Sequence, residues 1–383
     1  MMPAKGRLNS IDTLRGLIMI VMALDHVRDY THRGAMLFSP TDLARTTPVL
    51  FFTRWVTHFC APVFVFTAGM GAFFWFSRGR TRAQLSWFLL TRGLWLILLE
   101  VTVMRFGYYF NMAARYPVLL LVLWVIGLAM IGLAALVWLP LPLLAAVSLA
   151  GILLHNALDG AGGGSAGIVL HRPGAISLAG MTFIVGYPLI PWIFVMAAGF
   201  CFAPRFRRLA LPVGIAGTVA FLALRAVNIY GDPIRWSAQK SAMFTLLSFL
   251  NCTKYPPSLL FLLMTLGPAL VLLAWFERLG IAPANPLVVY GRVPLFYFIG
   301  HFLLAHIAGV VLMLARYGAP ALPLIWRPFP SMLGPDLAFP PDFGWPLWVT
   351  YLVWIAIVLI MYPLCRWYGN LKATQKWWWL GYL

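Results

Sequence analysis

The stretch "LIMIVMALDHVRDYTHR" (Leu17–Arg33) joins eight apolar residues, Leu17 to Leu24, to two acids, two bases and two histidines within the next nine positions. The apolar half reads as a helix in lipid, and it contains neither glycine nor proline to stop that helix before Asp25. The span therefore carries Asp25 and His26 inside it, and only Thr31 to Arg33 form an ordinary exit to water. Ionisable groups are costly in a bilayer, so they face protein or a water-filled cavity and mark function by default.

The rest of the chain has the same character. Its 383 residues are 62% hydrophobic and 10% charged, with a mean hydropathy of +0.86; a soluble chain is about half apolar and a quarter charged. The net charge of +18 reads as short basic loops against anionic lipid rather than as a nucleic-acid surface, because no basic face alternates with stacking aromatics outside the apolar runs. Cys60, Cys201 and Cys365 lie in apolar runs and Cys252 stands alone in a loop, so no disulfide or metal framework is legible. The start "MMPAKGR" lacks a small-residue cleavage site and reads as leading into an uncleaved first span.

A helix needs about 20 mostly apolar residues to cross, and runs near 10–31, 48–77, 83–105, 116–138, 140–157, 179–203, 209–228, 256–276, 285–316 and 346–367 qualify. The expected fold is all-α: one polytopic domain over 1–383 with about ten transmembrane helices. "SRGRTR", "PRFRR", "ERLG" and "CRWYGNLKATQK" fall on one side with Lys5 and Arg7, which places both termini in the cytoplasm. The opposite loops are longer and rich in Gly and Pro, as binding surfaces often are. A faint repeat, "FVFTAG" (64–69) and "FVMAAG" (194–199), has two readings: duplication or small-residue helix packing.

The polar residues gather at one depth. Asp25, His26, Arg28 and Asp29 lie late in the first span. Arg54 and His58 enter the second from the same outer side, spaced as neighbours on one helical face. Arg105 and Asn111 close the third span, and His301 and His306 lie in the second half of the ninth. Together they predict a polar chamber in the outer third of the membrane. The chemistry that suits it is proton transfer from a nucleophile, with a histidine near neutrality as base and a carboxylate to orient it. Asp25 and His26 are adjacent and point about 100° apart on a helix, so Asp29 or His58 is the better partner for His26, and Asp25 is free to pair with an arginine. Two facing histidines also admit a haem. The acids and histidines lack ligand spacing, so no metal is expected. Toward the cytoplasm, Ser10 reads as an N-cap, with Asp12 in the first turn and Arg15 three residues on. Arg92 and Arg292 are deeper and suit a phosphate-bearing donor.

The opening "RLNSIDTLRG" (7–16) resembles the start of the heparan-α-glucosaminide N-acetyltransferase catalytic-domain family. "PVFVFTAG" (62–69) is similar to its P-x-F-V-F-x-x-G pattern, and "TRGLW" places Arg92 where the family has Arg; "NPLVVYG" (285–291) is a further echo. The resemblance implies a multi-pass acyltransferase that moves an acetyl or acyl group from cytoplasmic acetyl-coenzyme A to a glycan or amino-sugar acceptor at the outer face. Its setting would be a bacterial inner membrane, with the lipid bilayer as partner and a homodimer allowed. His26 is then the expected catalytic base on chemistry, with His58, Asp29 and Asp25 beside it. His32 is a positional match, since ungapped alignment sets the family's histidine near Met36. Arg54, Arg28, Arg105, Asn111 and His301 would bind the acceptor, Arg54 by positioning it or by stabilising the oxyanion. Arg15, Arg92 and Arg292 would bind the donor. The chain departs from the family at Asp25-His26, where animal members have Asn-Tyr, and at Trp124-Val125-Ile126, where they have Gln-Arg before glycine. A transporter or flippase using the same chamber is the alternative.

Overall fold

The computed structural model describes residues 8–160, 163–334, 336–375, 377 and 380. Lys5 and Arg7, which entered the orientation argument, lie outside the described residues. The chain runs through α1 (Asn9–Thr31), α2 (Pro48–Trp55), α3 (Cys60–Phe76), α4 (Arg82–Leu99), α5 (Arg105–Tyr109), β1 (Val118–Leu120), α6 (Val122–Leu136) and α7 (Leu141–Leu154). It continues through α8 (Gly164–Leu170), β2 (Gly174–Leu178), β3 (Met181–Val185), α9 (Trp192–Phe202), α10 (Phe206–Val227) and α11 (Ala242–Leu250). The last elements are α12 (Leu259–Leu279), α13 (Pro286–Gly291), α14 (Pro294–Tyr317), α15 (Pro330–Leu333) and α16 (Leu347–Thr374).

This is an all-α polytopic membrane architecture with one small sheet. Among the described residues, seven helical stretches are long and apolar enough to cross a membrane: 48–76, 82–109, 141–158, 192–227, 259–279, 294–317 and 347–374. The first helix, α1, has the length, 23 residues, but is diluted by Asp12, Arg15, Asp25, Arg28 and Asp29; α6 is apolar but shorter, at 15 residues.

Several spans differ from the sequence reading. The run expected at 179–203 is helical only over Trp192–Phe202, because residues 174–185 form a β-hairpin instead. Ala179 and Gly180 both have positive φ, the two-residue turn whose twist matches antiparallel strands. A parallel partner, β1, gives the sheet order β1-β3-β2 and shortens the expected helix at 116–138. The second span is interrupted by a 3-10 turn at Val56–Phe59, so Arg54 and His58 are not on one continuous helical face. The third contains a π-helical turn, Glu100–Met104. Ser10 is not an N-cap: α1 starts one residue earlier behind Leu8, and the Ser10 hydroxyl donates to Glu277 at 2.5 Å.

Close approaches at glycine fix how the site helices cross. A Cβ on Gly16 would lie 1.8 Å from the Leu287 carbonyl oxygen, and one on Gly291 would lie 1.8 Å from that of Asp12. This reciprocal contact seats α1 on α13 and lines it up with α14. The repeat has the same basis. A Cβ on Gly69 would meet the Met196 carbonyl oxygen at 1.9 Å, and one on Gly199 would meet that of Phe66 at 2.0 Å. The two "FV…AG" segments are thus the two halves of one small-residue crossing between α3 and α9.

Candidate active site: a histidine pair above an arginine-lined cavity

The 100° step between neighbours on α1 separates its polar residues onto two faces. On one face, Asp25 pairs with Arg54 from α2 and with Nη2 of Arg28 at 2.9 Å. That same Nη2 reaches Asp29 at 2.6 Å. Arg54 extends the network to Thr57 and, at 3.5 Å, to the Tyr255 hydroxyl; Tyr255 lies 3.4 Å from that of Tyr187. The Lys254 ammonium lies 5.3 Å over the Tyr255 ring. Asp25, Arg28 and Arg54 are largely buried, so removing one partner of this network strands a charge, at about 3–5 kcal/mol. Nε and Nη1 of Arg28 have no hydrogen-bond partner among the described residues.

On the other face, His26 turns to α14. Its Nδ1 lies 2.8 Å from Nε2 of His301, and Nδ1 of His301 lies 2.7 Å from the Tyr297 carbonyl oxygen. A carbonyl only accepts, so His301 donates from Nδ1 and presents a lone pair at Nε2. His26 therefore donates from Nδ1, and its own Nε2 carries the lone pair. The rings lie nearly coplanar and edge to edge, with 9° between their planes, and Phe302 packs edge-on against His26 at 4.8 Å. The partner that orients His26 is thus His301, not Asp29 or His58. Two histidines bonded directly to each other at 2.8 Å also leave no gap between them for a haem plane.

Below this pair lies a cavity of about 240 Å³ among α1, α3, α4, α6 and α14. Arg15 and Arg92 both line it, with Thr67, Trp95 and a largely apolar remainder that includes Phe298. Arg15 is held in place by Thr67, donating to its hydroxyl at 3.1 Å and to its carbonyl at 2.6 Å; Asp12 is 3.9 Å away. Arg92 lies 5.0 Å from the Phe88 ring centre. Arg292 is not in the lining, although Pro294 and Leu295 beside it are.

The other expected residues scatter. His58 is buried against Phe261 at 5.3 Å, and its Nδ1 has no hydrogen-bond partner among the described residues. His32 follows α1, where burial, then the charge of Arg28, pushes its pKa down to about 4. Arg105 donates to the Ala113 carbonyl at 3.3 Å and Asn111 to that of Trp326 at 2.9 Å; both brace the loops at their end of the bundle.

Sequence reasoning passed over Glu100, which is fully buried. It accepts the N–H groups of Leu123 at 2.8 Å and Trp124 at 3.0 Å and the Tyr108 hydroxyl at 3.1 Å. These are orphan donors of the first turn of α6. The signal was available as a lone acid inside "LWLILLEVTVM" (94–104). Thr67, Tyr297 and Phe298 carried none, since each looks like packing.

The model of the family described as heparan-alpha-glucosaminide N-acetyltransferase, catalytic, matches residues 7–232. That is more than half of the chain, and the chain belongs to this family. No curated protein matches it.

Proposed function

We propose that this family member is a transmembrane acetyltransferase that takes the acyl group of acetyl-coenzyme A from the cytoplasmic side and delivers it to a glycan or amino-sugar acceptor at the outer face. The observation that carries the reading is the alignment of cavity and base. Arg15, Met19, Met22 and His26 follow one another at spacings of four, three and four, so they form one stripe along α1. From Arg15 to His26 the helix rises about 16 Å, within the span of an extended pantetheine arm. The donor set fits that substrate: two arginines in an otherwise apolar cavity suit a phosphate-bearing head with a thin, mostly apolar tail.

His26 acts as the general base. Its Nε2 takes the proton of the acceptor's hydroxyl or amine as that heteroatom bonds to the thioester carbonyl carbon. His26 then returns the proton to the sulfur as the carbon–sulfur bond breaks, leaving acylated acceptor and free thiol. His301 positions the ring and holds its tautomer. Asp25 and Arg54 lock the upper end of α1 against α2, with Arg28 bonded into the same network. Arg15 and Arg92 hold donor phosphates, with Arg292 at the entry. His58 and His32 take no proton in this scheme. About ten helices cross an inner membrane with both termini in the cytoplasm.

The test is direct. Acetyl-coenzyme A should raise the melting temperature of the detergent-solubilised protein and release thiol in the presence of glucosamine. His26→Ala should lower that release by about 10²–10⁴-fold while keeping the thermal shift. A wild type that shows no binding and no thiol release defeats the acetyltransferase reading; full activity in His26→Ala with loss in His58→Ala or His32→Ala would move the base.

A further inference from the structure

One side chain belongs both to the cavity lining and to the surroundings of the histidine pair. On α14, Pro294, Leu295 and Phe298 line the cavity, and His301 follows Phe298 one turn later. The Phe298 ring meets His26 edge-on at 6.0 Å and His301 at 5.9 Å, and the side chain is only 6% exposed. This side chain therefore lines the cavity and packs against the base and its positioning partner. Phe298 is the cavity-lining ring that also contacts His26, so a chain extended from the cavity to His26 runs against it.

We infer that Phe298 is the residue that sets acyl-chain length, admitting a two-carbon acyl group to His26 and excluding longer ones. This deepens the acetyltransferase reading and rests on it. The physical basis is steric. Every extra methylene must share the passage with an aromatic ring wedged against His26, His301 and the cavity wall, and interiors at such density do not yield without cost. A single methylene in a pocket shifts discrimination about 10–200-fold.

The experiment compares acetyl-, propanoyl- and butanoyl-coenzyme A, with glucosamine as acceptor, on the full-length protein in detergent, reading thiol release as kcat/KM. The wild type should prefer acetyl. Phe298→Ala should raise the butanoyl-to-acetyl ratio by about tenfold or more, with Phe298→Leu intermediate; Phe298→Trp should lower the propanoyl-to-acetyl ratio. The ratio is the informative quantity, because a side chain that served only to pack would lower all three donors together. Should Phe298→Ala fail to fold, the Leu and Trp variants carry the same opposed expectations. Folded variants with an unchanged ratio overturn the inference and leave the acetyltransferase reading standing. A wild type that releases no thiol from any of the three donors defeats both.

Discussion

At the residue scale, the tautomer of His26 is decided by a carbonyl on another helix. Tyr297 can only accept, so the two imidazoles are ordered head to tail and Nε2 of His26 is left as the lone pair. An amide in place of His301 can still accept from Nδ1 of His26, whereas a methyl cannot. We expect His301→Ala to cost about 10–100-fold in kcat, on the scale of other supporting-shell losses, with little change in KM, and His301→Gln to recover a substantial part. Equal rates in the two variants would show that His301 only packs. A second expectation concerns His32. Its folded pKa, about 4, lies below the unfolded value of about 6.5, so the unfolded state binds the proton more readily between those limits. Stability is therefore full above about pH 6.5 and falls as pH drops toward 4. His32→Gln should flatten that acid limb in a melting-temperature profile; an unchanged limb would assign it to other groups. Much of this neighbourhood was legible in the sequence, because burying Asp25, His26, Arg28 and Arg54 in lipid is too costly without partners. The pairing was legible only in part. The 100° step per residue separates Asp25 from His26, but which distant helix each one faces depends on tertiary crossing, and nothing near His26 in the chain points to His301.

At the scale of elements, the spans were legible wherever apolar length decided them and illegible wherever a local backbone device intervened. The 3-10 turn at Val56–Phe59, the π-turn at Glu100–Met104 and the hairpin at 174–185 all lie inside or against apolar runs. Hydropathy has no term for them. The repeated "FV…AG" was visible, but its meaning required seeing that Gly69 and Gly199 each abut the backbone of the other segment. That crossing makes a prediction. Gly69→Val drives a side chain into the Met196 carbonyl, so α3 and α9 must separate, and the melting temperature should fall by the equivalent of about 1–3 kcal/mol or more. Gly160→Ala, where nothing among the described residues lies within 4 Å of the added carbon, is the control and should change nothing. Equal melting temperatures for the two would remove the crossing as a stabilising contact.

Across the whole molecule, the two ends of the bundle differ in kind. At one, Glu277 at the foot of α12 accepts from Ser10 at the start of α1 and pairs with Arg207 at 2.5 Å, drawing three segments together within a basic surround. At the other lie the β-sheet, the long Gly- and Pro-rich connections and the Asp25–Arg54 network. Positive charge in short loops selects the cytoplasmic side, which predicts that the Arg205–Arg208 end faces inward and the hairpin tip outward. Cys60, Cys252 and Cys365 are buried and Cys201 is half-buried, so introduced cysteines are labelled in a Cys201→Ser background. Ala179→Cys should react with a membrane-impermeant maleimide in intact cells, and Arg205→Cys only after permeabilisation. The outcome bears on mechanism as well as topology. The cavity bearing Arg15 lies toward the Glu277 end and His26 toward the sheet end, so only this orientation puts donor entry in the compartment that contains acetyl-coenzyme A. The reverse labelling pattern would leave both cavity and histidine pair intact, yet would place the arginines on the side without a donor, and the direction of transfer proposed above would have to be abandoned.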